Sequence, residues 1–284
     1  MAEPEVTLDR LLNHAGARLK AAGLTEPRRE AWRIWADLHG LSTYPGSIFS
    51  DDLVPRADAD PFRLAVDRRA RGEPLHYVTG VAGFRGLTLS VDRRALIPRP
   101  ETEGLVDLVL SRAPAGRVVD VGTGSGCVAL ALADEGRYDQ VVAVDRSLEA
   151  LSLARENRQR TRLGIDLVLG DLVTAFAAQV FDAVVSNPPY LTDRELEELD
   201  PSVRDWEPWE ALAAGADGLY HTRALVVEAG RVVRAGGWLA LEVDTKRAGE
   251  TARLVERAGW RDVTVHDDLF GRARYLLARR SEAV

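Results

Sequence analysis

The first 78 residues carry apolar side chains at helical spacing. Residues three and four positions apart lie on one face of a helix, so such stripes predict amphipathic helices packed into a small bundle. Pro27 suits the first turn of the second helix, and Asp60-Pro61 resembles an N-cap followed by proline before the third. Trp32 and Trp35 favour core or domain-interface packing over a ligand-stacking site. The stripes are Leu8, Leu11, Leu12, Ala15 and Leu19; Ala31, Ile34, Trp35 and Leu38; and Phe62, Ala65, Val66 and Ala70.

Between residues 72 and 97 the chain changes to short apolar runs interrupted by glycine. Residues 84–91 and 95–97 resemble two strands, with Asp92, Arg93 and Arg94 as the polar turn that joins them. This pattern predicts a β-hairpin. We therefore expect a helical domain at 1–78, a hairpin linker at 79–98 and a second domain at 99–284.

From Arg117 onward short apolar runs alternate with longer helical patterns. This alternation is typical of βαβ units, in which helices connect parallel strands. We predict an α/β fold with a Rossmann-like, seven-stranded, mostly parallel sheet. The predicted strands span 117–121, 141–145, 165–169, 181–186, 237–243, 261–266 and 274–278.

Composition and charge narrow the class of protein. The 284 residues are 46% hydrophobic, enough for two cores, and Cys127 is the only cysteine, so no internal disulfide can form. The sequence carries neither a secretory signal pattern nor an apolar run of roughly 20 residues. We expect a soluble, cytoplasmic monomer without a membrane partner. A net charge of -7 has the wrong sign for a protein that wraps nucleic acid.

A glycine-rich turn follows the first predicted strand of the sheet. Gly122, Gly124 and Gly126 permit a tight turn and close approach of a ligand to the backbone, with Thr123 and Ser125 between them. The spacing is G-x-G-x-G, whereas dinucleotide sites use G-x-G-x-x-G. The difference favours a nucleoside ligand without a pyrophosphate.

Acidic residues end the next two strands. Asp145 stands where a carboxylate can accept hydrogen bonds from both ribose hydroxyls, although it can also serve as a helix N-cap. After the third strand, Asp171 can accept the adenine amino group and Leu172 can pack on the ring. The three loops converge at the carboxyl edge of one sheet, where open α/β sheets bind ligands. We therefore favour S-adenosyl-L-methionine over NAD and expect no metal.

The fourth strand delivers Asn187, Pro188, Pro189 and Tyr190 to the same edge. The prolines fix φ and remove two backbone donors, which leaves a turn rich in acceptors. An attacking NH2 group can donate to the Asn187 side-chain oxygen and to the Pro188 carbonyl, which aims the nitrogen lone pair at a methyl group. Tyr190 offers an aromatic wall. A simple Asn-Pro turn is the structural alternative, weakened by the glycine turn and Asp145 upstream.

The nature of the acceptor nitrogen is open at this point, because the tetrad also occurs in enzymes that methylate adenine in DNA or RNA. Residues 193–210 are rich in Asp and Glu, with only Arg194 and Arg204 as basic residues. Phosphate would be repelled there. An adenine N6-methyltransferase acting on nucleic acid is thus the weaker enzymatic alternative, and we expect no direct nucleic-acid substrate.

Motifs spread over most of the chain resemble one family. They are residues 71–75, Tyr77, 79–80, 83–86, 96–103, 120–126, 187–190, 207–208, 211–212, Gly215, 217–219, 268–269 and 271–272. They are similar to those of the peptide chain release factor N5-glutamine methyltransferases, the PrmC/HemK group. The Pro-Arg-Pro-Glu-Thr-Glu segment at 98–103 is the most specific of them.

The resemblance implies a helical domain that docks a release factor and a class I methyltransferase domain with a terminal antiparallel strand. The acceptor would be side-chain N5 of the glutamine in a Gly-Gly-Gln motif, whose methylation tunes translation termination. Carried onto matching positions, Gly122 to Gly126, Asp145, Leu172 and Asn187 hold the cofactor, and residues 187–190 hold the glutamine.

The same resemblance makes Phe84 and the 98–103 segment walls of the substrate pocket; their alternative role is to anchor the linker. Two positions depart from the family pattern, since Glu242 is followed by Val243-Asp244 rather than an early glycine, and Leu172 stands where many members have an aromatic residue. A non-catalytic adaptor that docks translation factors is the alternative from another functional class. The intact glycine turn argues against it.

Overall fold

A computed structural model describes residues 6–41 and 53–281. The α-helices in these ranges are α1 (Leu8–Ala21), α2 (Pro27–His39), α3 (Arg56–Ala70), α4 (Leu75–Thr79), α5 (Glu103–Arg112), α6 (Cys127–Glu135), α7 (Leu148–Thr161), α8 (Asp193–Glu197), α9 (Pro201–Arg204), α10 (Tyr220–Val232) and α11 (Ala248–Arg257). Short 3-10 helices span Pro100–Thr102 and Trp209–Ala211.

The strands are β1 (Val6–Thr7), β2 (Leu53–Val54), β3 (Val81–Phe84), β4 (Leu87–Ser90), β5 (Ala115–Val121), β6 (Arg137–Asp145), β7 (Asp166–Leu169), β8 (Phe181–Ser186), β9 (Val233–Glu242), β10 (Trp260–Asp267) and β11 (Ala273–Arg280). The chain divides into two compact units. The first runs through Val81 and includes residues 201–206, and the second comprises residues 82–200 and 207–284. None of the helices in the described part of the chain has the length and apolar content needed to span a bilayer.

The first unit is the predicted helical bundle. Its core is formed by most residues of the predicted stripes of α1, α2 and α3, but Leu38 at the end of the α2 stripe is exposed. Pro27 is the first residue of α2, as predicted, and Gly40 ends that helix in a left-handed conformation. Trp32 and Trp35 are buried, and the Trp35 ring packs edge-on against Phe62 with 5.5 Å between centroids. The prediction that these tryptophans pack in the core is confirmed.

The predicted start of the third helix is wrong. Helix α3 begins at Arg56, so Pro61 lies inside it rather than in its first turn. The buried stripe already includes Ala59, upstream of the proline, and this burial favours the longer helix. Asp60 does not cap a helix; its carboxylate accepts hydrogen bonds from Arg56 and Arg63 on the same helix.

The predicted hairpin exists, but its turn is misplaced. Strands β3 and β4 form a two-stranded sheet joined at Arg85-Gly86, and residues 95–97 form no strand. Arg85 adopts a left-handed φ of 51°; its backbone N–H donates to the Glu103 carboxylate, and its guanidinium forms ion pairs with Asp107 on α5 and Glu135 on α6. These ion pairs offset the strain of a non-glycine residue in that conformation. They fix the hairpin to the second unit.

The second unit is built on a seven-stranded sheet with the order β10-β11-β9-β8-β5-β6-β7. Strands β5 to β9 run parallel to one another, and β11 is antiparallel to both β9 and β10. The predicted α/β, Rossmann-like, mostly parallel sheet is therefore confirmed, with strand ends shifted by a few residues. The largest shifts are in β6, which begins at Arg137 instead of residue 141, and in β9, which begins at Val233 instead of residue 237.

Alternate residues of the central strands enter two different cores, because successive side chains of a strand point to opposite faces. Val118 and Ala183 pack with α5, α6 and the hairpin residues Phe84 and Leu89. Val119 on the other face packs with α10 and α11. With both faces covered, the loops at the carboxyl ends of the parallel strands are left to form a site.

Candidate active site

The glycine turn links the end of β5 to the start of α6. Gly122, Gly124 and Gly126 have φ values of 72°, 55° and 84°, which side-chain-bearing residues rarely adopt. The turn is tied to the neighbouring strand β6, because the Gly122 N–H donates to the Val144 carbonyl at 2.9 Å and the Gly124 N–H donates to the Asp145 carboxylate at 2.9 Å. The turn is thus fixed by the protein itself.

Asp145 has both carboxylate oxygens engaged by backbone donors. Its second oxygen accepts from the Ser147 N–H at 2.9 Å. Ser147 is the N-cap of α7, since its side chain accepts from the Ala150 N–H. Asp145 therefore is not the helix cap. It supports the entry to α7 from the end of β6.

A cavity of about 510 Å³ lies at this edge of the sheet. Residues of the glycine turn, the ends of β6, β7 and β8, and the 93–99 segment line it. The predicted site residues on its wall are Gly122, Thr123, Gly124, Ser125, Asp145, Asp171, Leu172, Asn187, Pro188 and Pro189. Leu172 has a left-handed φ of 50°, which turns the chain as it leaves the strand region. Convergent loops with a few polar groups are typical of a small-molecule site.

Three predicted site residues lie off the cavity wall. Gly126 faces α7, where an added Cβ would lie 3.3 Å from the Ala154 methyl group. Phe84 is 1% exposed within the core beneath the hairpin. Tyr190 follows the cavity-lining prolines and is half-buried, and burial together with the Glu242 carboxylate raises the pKa of its hydroxyl. Gly126 and Phe84 shape the fold around the cavity.

The side-chain amide of Asn187 is held by a buried hydroxyl. Its Nδ2 donates to Thr102 Oγ1 at 3.3 Å, and the Thr102 hydroxyl donates to Glu242 Oε2 at 2.6 Å. Thr102 and Glu242 are 3% and 2% exposed. Burial raises the pKa of Glu242, and the Thr102 hydrogen bond opposes that rise. Sequence reasoning missed this contact because the groups come from three separate segments.

Two more polar groups at the cavity were missed. Asp120 is buried at the end of β5, where its carboxylate accepts from the Thr123 hydroxyl at 2.6 Å and the Ala129 N–H at 3.2 Å. Burial raises the pKa of Asp120 to about 7. A carboxylate that ends an apolar strand next to a glycine turn is the signal that could have identified it. His221 on α10 also lines the cavity, and burial lowers its pKa.

The 98–103 segment is anchored at both ends. On one side, the buried Glu207 carboxylate accepts from the Ile97 N–H at 3.1 Å and pairs with Arg99. On the other, the Tyr275 hydroxyl donates to the Glu101 carbonyl. Gly104 makes this contact possible, because a Cβ there would lie 2.7 Å from Tyr275 Cζ.

The acidic tract of residues 193–210 is partly neutralised by basic side chains that are distant in sequence but close in space. Glu195 pairs with Lys246 at 3.0 Å and with Arg247 at 2.6 Å. Burial alone would raise its pKa, but hydrogen bonds from Thr192 and the two cations outweigh burial and lower it to about 2. Together with the pairing of Glu207, this means that counting charges along the tract overstates its repulsion of phosphate.

The parallel sheet, its terminal antiparallel strand and the site at its carboxyl edge define a class I S-adenosylmethionine-dependent methyltransferase. A solved methyltransferase from Pyrococcus furiosus shares this fold, with a TM-score of 0.52, 20% identity, and coverage of 69% of this chain and 90% of that one. The family models described as "Methyltransferase small domain" and "PrmC N-terminal domain" match residues 102–199 and 10–80.

The chain belongs to the family of release factor glutamine methyltransferases. Relatives with that name come from Deinococcus radiodurans, at 40% identity over 95% of this chain and 98% of theirs, and from Mycolicibacterium smegmatis, at 41% over 94% and 95%. A third, from Streptomyces coelicolor, is 40% identical over 94% of this chain and 96% of its own. The family confirms the resemblance drawn from the motifs and identifies the protein as an enzyme, which excludes the non-catalytic adaptor.

Proposed function

We propose that this enzyme transfers the methyl group of S-adenosyl-L-methionine to side-chain N5 of the glutamine in the Gly-Gly-Gln motif of peptide chain release factors, and so tunes translation termination. The observation that carries the proposal is the position of Asn187 and Pro188 on the wall of the same cavity as the glycine turn and Asp145. The names of the relatives support a glutamine side chain as the acceptor.

The cavity fits S-adenosyl-L-methionine in size and in the groups it offers. Its volume lies in the range of small-molecule sites. A Cβ built on Gly122 meets no heavy atom within 4 Å, so the backbone there is open to close approach of a ligand. In this proposal Asp145 accepts the ribose hydroxyls, Asp171 accepts the adenine amino group and Leu172 packs on the ring. The bound cofactor supplies an electrophilic methyl group on sulfur.

The tetrad then orients the acceptor nitrogen. The glutamine amide donates one hydrogen to Asn187 Oδ1 and the other to the Pro188 carbonyl, while Pro189 and Tyr190 complete the wall. The nitrogen lone pair forms the new N–C bond, the electrons of the C–S bond stay with sulfur, and the amide proton leaves to water. Because the nitrogen becomes acidic only as the bond forms, positioning rather than a strong base supplies the rate enhancement.

The two units have separate roles in this proposal. The helical region of residues 1–78 docks the release factor, the hairpin region of 79–98 connects it, and residues 99–284 carry out methyl transfer as a monomer. The match of residues 10–80 to the N-terminal domain of the family supports this division. No nucleic acid is methylated directly.

Methyl-labelled cofactor tests the acceptor. Label should enter an intact release factor and not a release factor whose motif glutamine is replaced by alanine. Label on the altered factor, or on nucleic acid alone, would refute the proposal.

Asn187→Ala tests the tetrad. At saturating cofactor it should lower kcat by about 10²-fold, because one of the two acceptors for the amide N–H groups is lost. Calorimetry should show that the variant still binds cofactor. Turnover like that of the wild type would remove Asn187 from the mechanism.

A further inference from the structure

A chain of two hydrogen bonds determines which end of the Asn187 amide faces the cavity. A threonine hydroxyl has one proton, and the 2.6 Å contact from Thr102 Oγ1 to the Glu242 carboxylate uses it. Only lone pairs remain on Thr102 Oγ1 for its 3.3 Å contact with Asn187. The atom of Asn187 at that contact is therefore NH2, and its Oδ1 is left to accept from another group.

We infer that Thr102 and Glu242 are positioning residues that fix the Asn187 amide with its oxygen available to the substrate nitrogen. This inference rests on the proposed function, in which Asn187 Oδ1 accepts an N–H of the glutamine. The two ends of an asparagine amide have nearly the same shape but opposite hydrogen-bonding character. If the amide turned over, two NH2 groups would face each other and the acceptor nitrogen would lose its alignment.

The surroundings of Glu242 favour this role over simple packing. The carboxylate is buried at the end of β9, next to the strand β11 that carries Arg274 and Tyr275. A buried carboxylate costs folding free energy unless it is well paired, and Thr102 donates a hydrogen bond to this one. The carboxylate contributes what an apolar residue cannot, a strong acceptor for the Thr102 proton.

The position of Thr102 is fixed independently of Glu242. It ends the 3-10 helix Pro100–Thr102, which the Tyr275 hydroxyl holds through the Glu101 carbonyl. Arg99, the residue immediately before this 3-10 helix, forms an ion pair with Glu207. The Thr102 hydroxyl thus has little freedom to follow the Asn187 side chain if that side chain moves. This rigidity is what a positioning group requires.

Substitutions of matched shape test the inference. Thr102→Val keeps the volume and removes the hydroxyl, and Glu242→Gln adds a donor that can reverse the direction of the chain. Each should lower kcat by about 10-fold or more, with KM for the release factor and affinity for the cofactor changed less than about twofold. Thr102→Ser restores the hydroxyl and should regain most of the activity. The double variant should be little worse than either single one, because both act on one chain.

Thr251→Val is the matched control. Thr251 is also buried in the second unit and donates to a backbone carbonyl, that of Arg247, at 2.9 Å. Its loss should lower the melting temperature without lowering kcat. Folding of every variant is checked by thermal unfolding. Wild-type kcat in folded Thr102→Val or Glu242→Gln, or equal loss in Thr102→Val and Thr102→Ser, would overturn the inference.

A measurement without substrate separates this inference from the proposed function. The side-chain NH2 signals of Asn187, identified by their absence in Asn187→Ala, should show slowed solvent exchange in the wild type and Thr102→Ser, and faster exchange in Thr102→Val. Unchanged exchange in Thr102→Val would refute the hydrogen-bond chain. Failure of the wild type to methylate a release factor would instead refute the proposed function.

Discussion

The buried carboxylate of Asp120 makes stability depend on pH in a measurable direction. Burial raises its pKa from 3.8 to about 7, and hydrogen bonds from Thr123 and Ala129 only partly oppose the rise. The folded-state pKa therefore lies above the unfolded-state value. Its contribution to stability is fully present below the unfolded-state pKa and is lost as the pH rises through 7.

The size of the effect follows from the two pKa values. A rise from 3.8 to about 7 corresponds to an upper limit of about 4 kcal/mol in the free energy of unfolding, of which about 3 kcal/mol is lost between about pH 5 and pH 8.5. Asp120→Asn removes the ionisable group but keeps an oxygen that can accept both hydrogen bonds. The unfolding free energy of this variant should therefore not fall by these roughly 3 kcal/mol between about pH 5 and pH 8.5.

Urea unfolding of the cofactor-free protein, followed by tryptophan fluorescence, gives the comparison. Relative to the wild type, Asp120→Asn should gain about 3 kcal/mol in unfolding free energy between about pH 5 and pH 8.5. Asp139→Asn, which replaces an exposed aspartate on β6, is the control and should follow the wild type. The same pH dependence in Asp120→Asn and the wild type would refute the reasoning.

Three further predictions concern residues around the cavity. Phe84→Ala should lower the unfolding free energy by about 3–5 kcal/mol with little change in KM, because Phe84 lies in the core; a large KM effect with unchanged stability would restore it to the substrate pocket. Tyr190→Phe should keep most of kcat, and wild-type kcat should not rise as the pH approaches 10, since burial raises the pKa of this hydroxyl. Burial also raises the pKa of the Cys127 thiol to about 12, so a thiol reagent at neutral pH should label this partly buried, cavity-lining cysteine much more slowly in the native protein than after unfolding. Rapid labelling of the native protein would contradict this.

The periodic part of the fold was predictable from the sequence. Helical stripes and short apolar runs follow directly from which faces are buried, and they placed the bundle and the sheet. The glycine turn, Asp145 and Asn187 could be brought to one edge because parallel strands end there together. The class of cofactor followed from those local patterns.

Contacts between distant segments were not predictable in the same way. Gly86 was a local turn signal that the prediction passed over in favour of Asp92 to Arg94, and the carboxylates on α5 and α6 that hold Arg85 in the turn are distant in sequence. Thr102 and Glu242 are 140 positions apart. The cations that neutralise Glu195 come from the turn after β9. Local charge and turn propensity carry no information about such partners.

The close packing of the Tyr275 ring against Gly104 limits which substitutions this sequence can accept. Glycine inside a helix costs about 1 kcal/mol relative to alanine, so substitution would be favoured on helix propensity alone. The Tyr275 ring occupies the volume that an alanine methyl group would need. Replacement of Gly104 is therefore conditional on residue 275: alanine at 104 becomes acceptable once a smaller side chain stands at 275. In a directed-evolution library the two positions should change together, and the order of the two substitutions should matter.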